Sequence, residues 1–185
     1  MRPTSILYTF AALGALGCSP NAGDQDLSDI DAPAALAAAE AQARRVGEAL
    51  LAGDWNSFAD YTHPKVLEKM GGRAKMKATI KAGLEDMKQQ GIGFHAVRIG
   101  RPDRLFRAKG DLFTIVPQRV VMSTRKAKLR QDGFLLGISS DNGISWTFID
   151  GAGTKKMDIR EIVPHIPDNL KLPHLASPVL DENDE

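Results

Sequence analysis

The sequence predicts an α+β fold, a curved antiparallel β-meander packed against N-terminal helices. Three observations predict it. Apolar residues recur at helical spacing in the first half, at Leu36, Ala39, Ala43, Val46 and Leu50 and again at Met76, Ile80, Leu84 and Met87. Apolar, β-branched and aromatic runs of period two, separated by turn residues, fill 94–150. The order is helices first and strands after, without the alternation that builds a parallel sheet. A chain of 185 residues with 43% apolar content suits one domain with extensions.

The N-terminus reads as a targeting segment. Met1-Arg2 is a short positive start, and 6–17 is an apolar run too short to span a bilayer comfortably. It ends Ala15-Leu16-Gly17-Cys18 and holds the one cysteine of the chain, which excludes an intramolecular disulfide. This ending resembles a bacterial lipoprotein signal peptide, in which a small residue precedes the cysteine that becomes the lipidated N-terminus. Gly17 fits that position; Leu16 and Ala15 depart from the usual pattern, and a plain secretory signal with an incidental cysteine is the alternative. The resemblance implies signal peptide 1–17, lipidated Cys18, and a cell-envelope address with the chain held to a membrane. Ser19, in place of Asp, implies the outer membrane facing the periplasm in a cell with two membranes. Residues 18–32 carry four acids, a Pro and a Gly and read as a solvated tether. The domain itself is placed at 33–173.

Asp31 and Pro33 open the first helix, and Gly53 stops it. Asp54 caps a second, shorter helix over 55–61, anchored by Trp55, Phe58 and Tyr61, and Pro64 ends that piece. Gly71-Gly72 breaks the chain before a third helix over 73–90, closed by Gly91 and Gly93. Strands are predicted at 94–100, 103–108, 112–124, 126–139 and 144–150. Pro117 implies an edge position or a bulge. A short helix or turn follows at 157–163. Pro164, Pro167 and Pro173 keep the chain irregular, and 174–185, with four acids among its last five residues, reads as a disordered acidic tail.

The last hairpin has the sharpest signal. A three-residue loop at Asp141-Asn142-Gly143 would pair Leu136 with Phe148 and Ile138 with Trp146, apolar on apolar. A two-residue turn would pair Gly137 with Phe148. The first register is preferred, with Gly143 in the left-handed position of a bulge. Ser139, Asp141, Gly143 and Trp146 also resemble an Asp-box, a turn device in which the Asp satisfies backbone donors and the Trp packs beneath. A single copy excludes a propeller of such repeats.

Several features together resemble the nuclear transport factor 2-like superfamily: the long first helix, the Ala52-Gly53-Asp54-Trp55 break, the short second helix near Pro64, the third helix, and a bent meander ending in an aromatic hairpin. The likeness covers roughly 33–150 and rests on order and pattern. A closer resemblance is to bacterial secreted proteins with His-Pro-x-x-x-x-x-Met-Gly-Gly, here His63 to Gly72, and Ser-Trp-Thr-Phe-Ile-Asp-Gly; it brings no activity with it. The superfamily likeness implies a cone between sheet and helices and makes it the place to seek polar groups. Candidates for the cone are Asp60, Tyr61, His63, His95, Arg98, Arg119 and Asp150, of which Tyr61, His63, Arg119 and Asp150 are the pocket candidates. Arg119 is either a buried pocket group or an outward charge at the bend. An Asp or His in a dry cone could take a proton α to a carbonyl, with a Tyr hydroxyl on the oxyanion. No spacing matches a known isomerase, dehydratase or epoxide-hydrolase set, so a non-enzymatic binding or interaction module is expected, with a small-molecule acid–base enzyme as the alternative.

No cofactor or metal is expected. His63, His95, His165 and His174 are far apart, and no HxH, HExxH or CxxC pairing, phosphate loop or serine elbow occurs. Charge is segregated: 61–130 holds 17 Lys and Arg against 5 Asp and Glu, in a chain that nets +1. That is a set of solvated faces balanced by the acidic ends, or a basic surface for an anionic envelope component. Nucleic acid is not an expected partner, since aromatics are not interleaved with these lysines. Pairing of two copies through the sheet is a further expectation from the superfamily likeness.

Overall fold

The computed structural model describes residues 26–153 and 158–181. Residues 1–17, Cys18, Met157 and the last four residues of the acidic tail therefore lie outside the described residues. The fold is α+β, with N-terminal helices against a curled antiparallel sheet that forms a half-barrel.

Helix α1 spans Ala32–Ala52. Asp31 caps it, accepting from the Ala34 amide at 3.1 Å, and Gly53 ends it at φ 67°. Its buried stripe is Ala35, Ala39, Ala43 and Val46, with Leu36 half-buried at the margin. Small residues let the helix sit close on the sheet: a Cβ at Gly47 would lie 2.9 Å from Val97 Cγ1. Helix α2, Trp55–Tyr61, is capped by Asp54, which accepts from the Asn56 and Ser57 amides. Pro64 does not simply end the helical piece. It is the first residue of an additional helix, α3, Pro64–Lys69, where the missing N–H costs nothing. Four helices precede the sheet, the last being α4, Arg73–Gln89.

The sheet contains β1 (Gly93–Ile99), β2 (Phe106–Ala108), β3 (Asp111–Ser123), β4 (Lys128–Ser139) and β5 (Thr147–Asp150), in the order β1-β3-β4-β5, with β2 beside β1 on β3. Pro117 lies in β3 in unbroken register with β4 opposite Phe134, without a bulge, and on its other side it holds a local edge position. Its carbonyl accepts from the Gly100 amide at 2.8 Å, so its nitrogen faces the edge where β1 ends and β2 has not begun. No donor is required there.

The hairpin register differs from the expected one. Gly137 faces Phe148 and Leu136 faces Ile149, and the ladder stops at Ile138 and Thr147. Trp146 belongs to the loop, so it has no partner in the ladder, and Ile144 is exposed. The reason is size complementarity. A Cβ on Gly137 would lie 3.1 Å from the Trp146 ring, 3.2 Å from Thr114 Cγ2 and 3.3 Å from the Phe148 ring, so the aromatics occupy the room that glycine leaves. The apolar-on-apolar criterion could not see a small residue opposite a large one.

This register sends Leu135 and Phe148 toward the helices with Leu112 and Val116. Phe134, Leu136, Ile138 and Ile149 go to the outer face with Phe113. That outer face is covered by the chain after β5. Helix α5, Ile159–Ile162, is capped by Asp158, and Val163, Ile166 and Leu170 follow it onto the sheet. Arg160 holds this irregular strap by donating to the carbonyls of Ile166 (3.3 Å) and Leu170 (3.2 Å). His165 Nε2 lies 2.7 Å from Asp111 Oδ2, with its ring edge-on to Phe113. The strap occupies part of the face expected to pair two copies. The segment expected to be disordered also contributes: β6, Val179–Leu180, pairs with Leu129 and Arg130 of β4.

Candidate functional site

Between the helices and the sheet lies a cavity of about 390 Å³. Helix α1 supplies Val46, Gly47 and Leu50 to its wall. Helices α2 and α3 supply Phe58, Tyr61, Thr62, Val66 and Met70, and α4 supplies Met76, Ile80, Gly83, Leu84 and Met87. The apolar stripe of α4 faces this space more than it packs: of its residues only Met76 is buried. The sheet floor is Phe94, Gln118, Leu135, Phe148 and Asp150, and Ile149, whose side chain packs on the outer face, borders it between the last two.

Two polar side chains are set into that floor. Alternation along β3 puts Gln118 on the same face as Leu112 and Val116. It is 7% exposed, and among the described residues its amide makes no hydrogen bond. Asp150 shares a row with Val116 and Leu135. Burial pushes its carboxyl up, against the pull of the Ala152 and Gly153 amides; the Ala152 amide donates to Oδ1 at 2.8 Å. A carboxyl held toward its neutral form can both donate and accept. Tyr61 stands at the wall, its hydroxyl accepting from Arg45 at 3.3 Å, and the Thr62 hydroxyl donates to the Phe58 carbonyl.

The sequence-derived candidates are therefore divided. Tyr61 and Asp150 line the cavity. His63 does not. Its Nδ1 accepts from the Lys65 amide at 3.3 Å as the cap of α3, and its backbone N–H donates to Phe148 at the edge of β5. Burial lowers the imidazole to about 4, Lys65 and His165 add to the effect, and Asp111 opposes it. Arg119 sits on the opposite face, paired with Asp132 at 2.6 Å, because odd positions of β3 point outward. It is an outward charge and not a pocket group. Asp60 pairs with Arg73 at the surface, and His95 and Arg98 are exposed. Gln118 was missed. The signal for it was a lone polar residue ending the Leu112, Thr114, Val116 alternation.

The turn residues make a closed set of bonds. Ser139 Oγ donates to Asp141 Oδ1 (2.8 Å) and accepts from the Gly143 amide (2.9 Å), while the Ser145 amide donates to Asp141 Oδ1 (2.8 Å). Burial opposes the Asp141 charge, but these donors outweigh it and hold the carboxyl below its ordinary value. Trp146 Nε1 donates to the Gly143 carbonyl at 2.9 Å, and Gly143 has φ 88°. The Ser139, Asp141 and Trp146 side chains thus bind within the turn, while Asn142 Oδ1 accepts from Arg107 at 3.3 Å.

Among the described residues no group of three His, Cys, Asp or Glu side chains is placed to hold a metal ion, and no helix is long and apolar enough to cross a membrane. Protein-family models, curated proteins and solved structures yield no match to this chain.

Proposed function

We propose that the domain is a non-enzymatic binding module for a small, largely apolar molecule with one or two hydrogen-bonding groups. We further propose that a lipid on Cys18 tethers it to a membrane of the cell envelope. The observation that carries the binding reading is Gln118, a largely buried residue on the floor of an apolar cavity whose amide makes no hydrogen bond to the described residues. An amide so placed offers a ligand both a donor and an acceptor. Asp150 gives a second contact, suited to a carbonyl or hydroxyl. The position of the cavity between the helices and the curled sheet supports a cone of the nuclear transport factor 2-like kind.

The test is organic extraction and native mass spectrometry of the purified full chain, with an apolar fluorescent probe as the binding readout. The wild-type chain is expected to carry or take up one apolar molecule. Leu84→Trp, which fills the cavity, should abolish uptake and leave the melting temperature unchanged or raised. Probe binding that survives Leu84→Trp would end the proposal. The tether is tested by Cys18→Ser, which should release the chain from membranes and abolish labelling with a fatty-acid analogue.

Asp150 also favours a second reading, an acid–base enzyme acting on a small apolar carbonyl compound, because its carboxyl is raised within the cavity. Deuterium exchange at the α-carbon of a bound ketone, lost in Asp150→Asn while binding persists, would select that reading.

A further inference from the structure

A second concave surface lies where β1 ends beside β3. It is a groove of about 410 Å³ that carries Arg98, Arg119 and Asp132, bordered by Gly100, Pro117 and Gly133, with Ile99 and Gln118 between them. The β1–β3 and β3–β4 registers put Arg98, Arg119 and Asp132 in one row across three strands. Neighbouring strands are about 5 Å apart, so two guanidinium groups emerge side by side, an unfavourable placement for like charges. Asp132 answers only one of them: Arg119 Nε and Nη2 reach its two oxygens at 2.6 and 3.3 Å. Among the described residues Arg98 makes no hydrogen bond, ion pair or ring contact.

A third arginine stands on the same face. Arg130 precedes Asp132 by two positions on β4, and its charge helps hold the Asp132 carboxyl low after that of Arg119. Its Nε is closed off from solvent and has no hydrogen-bond partner among the described residues. Among the described residues three guanidinium groups thus face one carboxylate, with Asp181 a second acid whose charge reaches Arg119. Gly100 lies against the Pro117 ring and Gly133 against Leu175 at the border of the groove.

We propose that this row is a phosphate-binding site, taking a phosphate monoester group either free in solution or on a lipid headgroup. A phosphate monoester carries about −1.5 to −2 at neutral pH, enough to answer both the unpaired Arg98 and the excess left by Arg119 and Arg130. Its oxygens suit guanidinium forks, which donate two parallel N–H groups each. Arg119 and Asp132 project from the face of the sheet opposite the cavity, while Gln118 borders both hollows.

The experiment is isothermal titration of the full chain with inorganic phosphate, together with flotation on phosphatidylcholine vesicles with and without phosphatidic acid. Saturable phosphate binding is expected, weakened about tenfold in Arg98→Gln. Arg98 is exposed and touches nothing described, so this variant should fold normally, and an unchanged melting temperature checks that it does. Asp181→Asn should bind phosphate more tightly. Flotation on phosphatidic acid vesicles that is lost in Arg98→Gln and competed by inorganic phosphate identifies a lipid headgroup. Phosphate binding without flotation identifies a soluble ligand. Absence of saturable phosphate binding, or binding and flotation untouched by Arg98→Gln, overturns the proposal.

Discussion

On the outer face of the sheet Phe113, Leu136 and Ile149 are sealed under Val163, Ile166 and Leu170, and hardly any of these six is exposed. On the helix side Leu135 and Phe148 look into a cavity of about 390 Å³ whose far wall is α4. The outer cover is an irregular strap stapled by Arg160, the inner one a set of regular helices. Helix α4 stands off the sheet and leaves space, whereas the irregular strap packs closely on the part of the outer face it covers. A helix presents a stiff, nearly straight stripe to a curled surface and cannot follow it, whereas a strap without regular structure can place each side chain where the sheet has room. The hollow is thus a consequence of curvature, and it falls on the face where Gln118 and Asp150 are buried.

Removal of the chain from position 158 onward should have the largest effect. It uncovers the Phe113 and Leu136 face, and the loss of the cooperative thermal transition is the expected result; a retained transition would break the contrast between the faces. Leu136→Ala should cost about 3 kcal/mol in urea denaturation, while Leu84→Ala, on the cavity wall, should cost under about 1 kcal/mol because its side chain is not packed on all sides. Equal costs would mean the inner face is as filled as the outer.

Two smaller effects depend on pH. The folded chain holds Asp150 above its ordinary value of 3.8, so on raising pH the unfolded chain releases that proton first. Stability is therefore lost as pH rises through 3.8, and Asp150→Asn should gain on wild type at neutral pH and lose that gain below about pH 4. His63 runs the other way. Its folded value of about 4 lies below 6.5, so on lowering pH the unfolded chain takes up the proton first and stability falls between those two values. His63→Asn, which keeps a capping acceptor, should remove that slope in melting-temperature measurements.

Much of the architecture was legible because local chemistry carried it. Asp31, Gly53 and Asp54 mark helix ends by hydrogen bonds made within a few residues, and the Ser139 to Trp146 turn closes on itself. What escaped depends on partners far away in sequence. Pro117 is tolerated because β3 changes neighbours beside it, and the hairpin register follows from Trp146 filling the space over Gly137. Arg119 could be placed only once the parity of β3 was known. Gln118 needed the same parity, since its place at the end of the Leu112, Thr114, Val116 alternation points to a buried amide only once that face is known to be the inner one.

Gln42 of α1 has a consequence for how the molecule assembles. Its side-chain amide donates to the Ile144 carbonyl and accepts from the Trp146 amide, each at 2.9 Å, so one side chain serves the final loop as a neighbouring peptide group would. The two ends of that link are more than a hundred positions apart. Helix α1 can wind early and rest on β1, but its link to the final loop exists only after the last hairpin has closed. The opening and closing stretches of the domain should therefore gain protection from hydrogen exchange together, late in refolding.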